Sequence, residues 1–299
     1  MGSDSNFRAM KKFVLKPKYA FRVPVDAEAI SPSRFEGMDS KDIKAIEVWE
    51  GKRRVTLDTL FDISESKVEL KNPSTPEEPK EEGPFIEILG DVTKVRRLGR
   101  AMTKGTIVLK GSGGLRLGEG MRGGRILVEG SVGPWLGSRM RGGTIEVLGN
   151  AGDKVGAPLP GGSKGMRGGT IIIHGDAGDE VGCLMTGGLI IVHGSVGQFA
   201  GYGMQGGDIL VRGNSSGRLG ASMKGGRIVV LGNCGSILPS FTIQEIRPTV
   251  RVGEERIKGP FYLFQGDLNE GGAGRLFLAK ASNPQLLAFE KYLETLEEP

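Results

Sequence analysis

Two histidines, two cysteines and a file of arginines are the residues of this chain whose types and spacing could support chemistry. His174 and His193 lie nineteen positions apart. A metal ion could bridge such a pair, but a closed or catalytic site needs further ligands and none is evident around them. Stacked imidazoles are the simpler reading. Cys183 and Cys234 are too few for iron–sulfur or pterin-metal ligation and do not make a disulfide framework. Asp176, Asp179 and Glu180 lie close together, which a polar turn explains, and no carboxylates recur at the spacing glycoside chemistry requires. No catalytic residue, bound metal or bound cofactor is therefore expected of this chain.

The elements that position these residues follow from a repeat. Between Gly90 and Gly232 the unit G-x-x-M-x-G-G-x-I-x-V-x-G recurs, with Met102, Met121, Met140, Met166, Met185, Met204 and Met223 spaced 19, 19, 26, 19, 19 and 19 residues apart. So short a period means stacked units, none large enough to bury a core alone. The stretch after each G-G pair alternates with a period of two, the signature of a strand with glycine corners. The reading is an all-β fold, a parallel β-solenoid of about seven 19-residue rungs. The second glycine of each pair, Gly143 for example, is expected at a corner of positive φ. Ile107, Ile126, Ile145, Ile171, Ile190, Ile209 and Ile228 should stack inward, as should the methionines and the Val-rich file two residues beyond each isoleucine.

Between those inward files lie Val108, Leu127, Glu146, Ile172, Ile191, Leu210 and Val229. A solvated face should be polar there, and six of these seven positions are apolar. A strip of this kind marks an interface. Its cover is either the N-terminal module or C-terminal helix of the same chain, or another subunit. After the methionines come Arg122, Arg141 and Arg167 on consecutive repeats. Stacked guanidiniums repel unless an anion or an acidic partner meets them, although solvation alone is the plainer account. The fourth repeat carries seven extra residues within 157–165. Loops grafted on rigid repeats often bind, so Pro158, Leu159, Pro160 and Lys164 join the candidate contacts.

The rest of the 299 residues divide around this stack. Residues 11–65 read as a small N-terminal α+β module, and 66–84, rich in proline and charge, as a linker. Residues 85–239 hold the repeats, and 240–299 a cap and return segment ending in an amphipathic helix with Leu286, Phe289, Leu293 and Leu296 at helical spacing. The formal charge of +5 is modest, and no nucleic-acid partner is expected. No apolar run reaches the length of a membrane span, and no signal segment is evident, so a cytoplasmic setting is expected.

The repeat resembles the C-terminal β-helix of the glutamate synthase large subunit, the GXGXG fold. Other stretches narrow the resemblance. Leu15-Lys16-Pro17-Lys18, the run from Ile30 to Gly37, Trp49-Glu50-Gly51, Leu57 to Phe61 and the insertion in the fourth repeat are similar to the C subunit of formylmethanofuran dehydrogenase. This resemblance covers most of 12–280. It implies a right-handed β-helix inside a multi-subunit enzyme that fixes carbon dioxide as formylmethanofuran. It places molybdenum or tungsten pterin, iron–sulfur clusters and an amidohydrolase-like metal centre in other subunits. A bacterial formyltransferase/hydrolase complex of one-carbon metabolism has an equivalent C subunit, and a glutamate synthase-like accessory domain is the remaining alternative. No family catalytic residue carries over, because the C subunit is expected to organise the others. A free-standing polysaccharide lyase or hydrolase would need an acidic or basic cluster in a groove, and only the arginine file could supply one.

Overall fold

The computed structural model describes residues 7–71 and 83–294. The N-terminal segment supplies β1 (Phe7–Pro17), β2 (Val25–Asp26), β3 (Glu47–Glu50), β4 (Arg53–Thr56) and β5 (Phe61–Lys71). Three short helices, α1 (Pro32–Phe35), α2 (Ser40–Lys44) and α3 (Leu57–Leu60), lie between them. The repeats supply β6 (Phe85–Leu89), β7 (Val95–Arg96), β8 (Thr106–Lys110), β9 (Arg122–Val128) and β10 (Arg141–Val147). They continue through β11 (Arg167–Ile173), β12 (Thr186–Val192), β13 (Gly206–Val211) and β14 (Arg227–Val230). The C-terminal part supplies β15 (Thr242–Val252), β16 (Glu255–Gly266) and β17 (Gly274–Ala279). A 3-10 stretch, Pro284–Phe289, and a single turn, α4 (Lys291–Glu294), follow.

The protein is all-β, and thirteen of these strands join one large sheet in the order β15-β16-β17-β14-β13-β12-β11-β10-β9-β8-β6-β1-β5. From β6 to β14 each neighbour is parallel. The register follows the repeat. Ile107 pairs with Ile126, Ile126 with Ile145, and Ile145 with Ile171 across the seven extra residues. A second file of parallel bridges joins Val92, Gly113, Val132, Ala151, Ala177, Val196 and Ser215 in succession. Each repeat therefore pairs with the next at two separate places.

The core lies behind the sheet's inner face. The seven inward isoleucines and the seven methionines all have no exposed surface. At about 1.5–3 kcal/mol for each fully buried large apolar side chain, this column contributes a substantial part of the hydrophobic stabilisation. The corners constrain it. Gly143 has φ +84°, and a β-carbon there would lie 2.7 Å from both Met121 Cε and the Gly124 carbonyl oxygen. That position takes glycine both for the left-handed backbone and for the methionine packed beneath it.

Both ends of the ladder are closed by strands from outside the repeat. β1 runs parallel to β6, with Phe13 opposite Ile86 and Leu15 opposite Ile88, and β5 closes that edge antiparallel. The N-terminal segment thus shares the core of the repeats. Residues 72–82 of the expected linker lie outside the described residues, as does Leu296 of the expected helix. β2, β3, β4 and β7 make a separate small sheet, through which Val25 pairs with Val95 of the first repeat. Ion pairs clamp that junction: Arg97 bonds Asp26 and Glu28, and Arg100 bonds Glu28.

At the other end the next ladder position is filled out of sequence order. β17 pairs parallel with β14, placing Leu276 beside Ile228 and Leu278 beside Val230. β16 then pairs antiparallel with β17, setting buried Phe264 and Tyr262 beyond them. The segment expected as an amphipathic helix is 3-10 from Pro284 to Phe289, with Leu286 buried and Phe289 and Leu293 packed partly against the core.

Candidate partner-docking face

Alternation puts every second residue of the ladder strands on the outer face. Its central file runs through Val108, Leu127, Glu146, Ile172, Ile191, Leu210 and Val229, and the register extends it through Phe277 to Leu263.

At the C-terminal end the chain covers this file itself. β15 and β16 form a long hairpin whose tip overruns β17 and folds back. Val250, Val252 and Ile257 join Leu210, Val229, Leu263 and Phe277 in one buried cluster. The turn glycine Gly253 comes so near β12 that a β-carbon there would lie 3.0 Å from Leu189 Cδ2. An ion pair holds the tip, with Arg212 Nη2 at 2.9 and 2.7 Å from the two Glu255 carboxylate oxygens. The N-terminal module, the terminal helix or another subunit are the covers expected from sequence, and at this end the chain's own hairpin supplies the cover. Leu210 and Val229 have no exposed surface, so they leave the set of candidate partner contacts.

Toward the N-terminus the hairpin stops. Leu127 and Ile172 stay half-buried, and Ile191 lies at the hairpin's margin, partly packed on its cluster. Leu148, in the next outer file, is 45% exposed, an apolar surface of the kind an interface uses. Val108 is buried, which leaves Leu127, Ile172 and the rim of Ile191 as the open part of the strip.

One charged group interrupts it. Glu146 accepts bonds from Arg125 Nη2 at 2.9 Å and His174 Nε2 at 3.0 Å. The His174 bond, aided by Arg125, holds its carboxyl below the usual glutamate range. His174 stacks on His193 with ring centroids 4.9 Å apart. Burial holds His193 below the ordinary histidine value, and the Arg212 and His174 charges add to that, while Glu255 opposes. Among the described residues, no group of three or more His, Cys, Asp or Glu side chains is arranged to hold a metal ion. Burial pushes the thiols of Cys183 and Cys234 up to about 11, so neither is a thiolate near neutral pH.

The insertion forms a loop on the repeat corner. Trp135 donates from Nε1 to the Pro158 carbonyl at 3.1 Å, and Ser138 Oγ donates to Ala157 O at 2.7 Å. These bonds pin the loop's start and bury Pro158, while Leu159 is half-buried and Pro160 and Lys164 are exposed. A cleft of about 280 Å³ lies between the loop, Trp135, Lys154 and Glu180. Arg122, Arg141 and Arg167 are all exposed at the starts of β9, β10 and β11. The hairpin residues Val250, Val252 and Ile257 were the contacts hardest to foresee. Their alternation around Gly253-Glu254 signals a hairpin but not where it lands.

A large all-β fold with one parallel ladder and an outer face half covered by its own hairpin defines the structural class. No family model matches the chain. Its similarity is to one kind of subunit. The C subunit of the molybdenum-containing formylmethanofuran dehydrogenase 1 of Methanothermobacter marburgensis is 39% identical over 104 residues, 35% of this chain and 23% of that protein. The Methanosarcina barkeri counterpart is 34% identical over 113 residues, 38% of this chain and 34% of its own. The C subunit of the tungsten-containing formylmethanofuran dehydrogenase 2 of Methanothermobacter wolfeii is 38% identical over 103 residues, 34% of each chain. The match thus spans only about a quarter to a third of the length of these curated relatives. Among solved structures, a chain of the formyltransferase/hydrolase complex of Methylorubrum extorquens, crystallised with methylofuran, superimposes with a TM-score of 0.74 at 27% identity. That match covers 89% of this chain and 99% of the other. The chain resembles the C subunit of formylmethanofuran dehydrogenase and its structural counterpart in the bacterial complex. No helix among the described residues is long and apolar enough to cross a membrane.

Proposed function

We propose that this chain is a non-catalytic C subunit that organises the other subunits of a formylmethanofuran dehydrogenase or formyltransferase/hydrolase complex in one-carbon metabolism. The observation that carries the reading is the near full-length match to a chain of such a complex. Two neighbours in register on two sides of every repeat support a right-handed β-helix as its framework. The half-open apolar strip, Leu127 and Ile172 with the edge of Ile191, supports a role in assembly. The corner loop with Pro160 and Lys164 is the second contact proposed for a partner. Pterin-bound molybdenum or tungsten, iron–sulfur clusters and an amidohydrolase-like metal centre would then belong to the partners, and this chain supplies rigid placement.

Two versions of the complex fit this role. Identity within the matched stretch is higher to the archaeal dehydrogenase subunits, while the bacterial formyltransferase/hydrolase chain matches along nearly its whole length. Purification of the tagged chain from its native cell under mild conditions tests the proposal. A stoichiometric complex containing an amidohydrolase-like subunit is expected. Molybdenum or tungsten with formate-linked redox activity would mark the dehydrogenase, and formyl transfer without either metal the transferase/hydrolase. A chain that elutes alone, or with proteins of neither kind, overturns the assignment.

A further inference from the structure

The second file of parallel bridges carries a bonding pattern that is incomplete at its start. Two residues beyond each bridge position the ladder reads Lys94, Leu115, Pro134, Asp153, Asp179, Gln198 and Gly217. In the later repeats a side chain accepts the amide at this place. Asp153 Oδ1 takes the Asp179 N–H at 2.9 Å, Asp179 Oδ1 takes the Gln198 N–H at 2.7 Å, and Ser215 Oγ takes that of Gly217 at 3.2 Å. In the first repeats Lys94 stands where the acceptor would be, and the Leu115 N–H has no partner among the described residues. The Asp153 N–H is open too, but it follows Pro134, which brings neither an acceptor nor a cation.

The open amide belongs to a cavity. Leu115 lines a hollow of about 460 Å³ together with Lys94, Arg96, Ser112 and Ser131. Lys94 and Arg96 are exposed, and neither makes an ion pair or side-chain hydrogen bond among the described residues. No carboxylate lines this cavity. Asp91, close by in sequence, is outside the lining and accepts the Ser112 N–H at 2.7 Å. Other cavities differ, because Lys154 is paired with Glu180 in the loop cleft and Arg227 with Asp208 in a groove at the starts of β13 and β14. Ser112 Oγ and Ser131 Oγ each accept an amide of the next repeat, so each hydroxyl keeps its proton for a further acceptor. Pro24, Val132 and Pro134 give the cavity an apolar side.

We propose that this cavity binds a small organic acid, whose carboxylate takes the role that Asp153 and Asp179 fill in later repeats. The carboxylate accepts the Leu115 N–H, Lys94 and Arg96 balance its charge, and the serine hydroxyls are donors for its remaining lone pairs. The fold itself selects the group, since wherever this file sets an acid before an amide, a carboxylate oxygen is what the amide binds. An apolar body suits Pro24, Val132 and Pro134, and the volume lies within the roughly 300–1,000 Å³ of small-molecule sites. None of these residues belongs to the open strip or the corner loop, so the inference stands apart from the assembly reading.

The test labels the full chain with nitrogen-15 and follows the Leu115 amide resonance during titration with phenylacetate. The resonance should move downfield and saturate. Phenylacetamide, which keeps the shape without the charge, should bind about tenfold more weakly or worse. Lys94→Asp copies Asp153 and Asp179. In that variant the Leu115 resonance should sit near its phenylacetate-bound position before any ligand is added, and affinity should fall by about tenfold or more at unchanged Tm. Arg96→Gln, which leaves the amide open, should lose about threefold or more, and Lys16→Gln, an exposed lysine outside the cavity, less than about twofold. The proposal is overturned by a Leu115 resonance that does not respond, by equal binding of phenylacetamide, or by a Lys94→Asp variant whose Leu115 resonance stays at the free position. Tighter binding of inorganic phosphate would replace the carboxylate with a phosphate, and tighter binding of a ten-residue aspartate peptide would replace the small molecule with a protein partner. Either result overturns it as well.

Discussion

Leu210 and Ile172 sit two repeats apart in the same file of the same sheet, yet one has no exposed surface and the other is half open. The strand pattern around them is the same. What differs is a hairpin that reaches back over β13 and β14 and ends near β12. The comparison teaches that an apolar outer file encodes a need for cover and not the identity of the cover. One half is covered by the hairpin, and the other half is not covered by it.

The covered half should be the more costly to disturb. Val229→Asp places a carboxylate where no water reaches and no cation waits, and is expected to destabilise the chain by about 3–5 kcal/mol. Urea unfolding measures this, and an unchanged midpoint would mean that the hairpin does not seal the file. In the open half, Leu127→Asp with Ile172→Asp should leave the isolated chain within about 1 kcal/mol of the parent. The same pair should weaken assembly by about a hundredfold or more, because the charges are desolvated only when a partner arrives. Co-elution of the complex reads that loss. If stability falls and assembly does not, the two halves are not different after all. Ile191 is unsuited to this contrast, since it touches the hairpin cluster and would mix both effects.

Two smaller effects sharpen the boundary between the halves. Glu255→Ala removes the ion pair that holds the hairpin tip to Arg212, a partly exposed contact worth about 0.5–1 kcal/mol at most. Its loss should show as faster hydrogen exchange in Val250–Ile257 before any change in global stability. His193 beside it has a lowered folded-state value, so the unfolded chain binds the proton more readily. Its contribution is therefore complete above the ordinary histidine range and is lost as pH falls through that range toward the folded value. His193→Gln should flatten the fall in Tm between about pH 7.5 and 5.5 by no more than a degree or two. A steeper fall in the variant would reverse the sign.

The repeated part of the fold was legible because its period leaves one register. Once Ile107 and Ile126 are equivalent, pairing, burial and the corner of Gly143 follow from geometry. The seven extra residues did not obscure this, since Ile145 still meets Ile171. The hairpin was not legible in the same way. Val250, Val252 and Ile257 announce a strand pair, but their landing on Leu210 and Val229 depends on tertiary packing that no local pattern carries. A second feature was hidden altogether. Arg97, Arg116, Trp135, Lys154, Glu180, Phe199 and Arg218 adopt left-handed φ of 55–63° at one position of successive repeats. These residue types have no preference for that backbone, which costs roughly 1–2 kcal/mol each. Cross-repeat contacts offset part of it, as where Lys154 pairs with Glu180 and Arg218 lies over Phe199. The open strip could be located from sequence, and its extent could not, because extent is set by where the hairpin ends.

The strand that takes the place after β14 arrives late in the chain. Every earlier neighbour in the ladder follows within one repeat, whereas Leu276 and Leu278 reach Ile228 and Val230 only after residues 231–273 have been made. During synthesis the stack can therefore lengthen a step at a time behind the ribosome, each step closing a short loop. The growing front, however, stays an unpaired apolar edge until the last strand emerges. Such an edge is a template for the wrong neighbour. The out-of-order strand acts as a stop on an otherwise open-ended polymerisation, and a message truncated before Gly274 would release a chain with its growing end exposed.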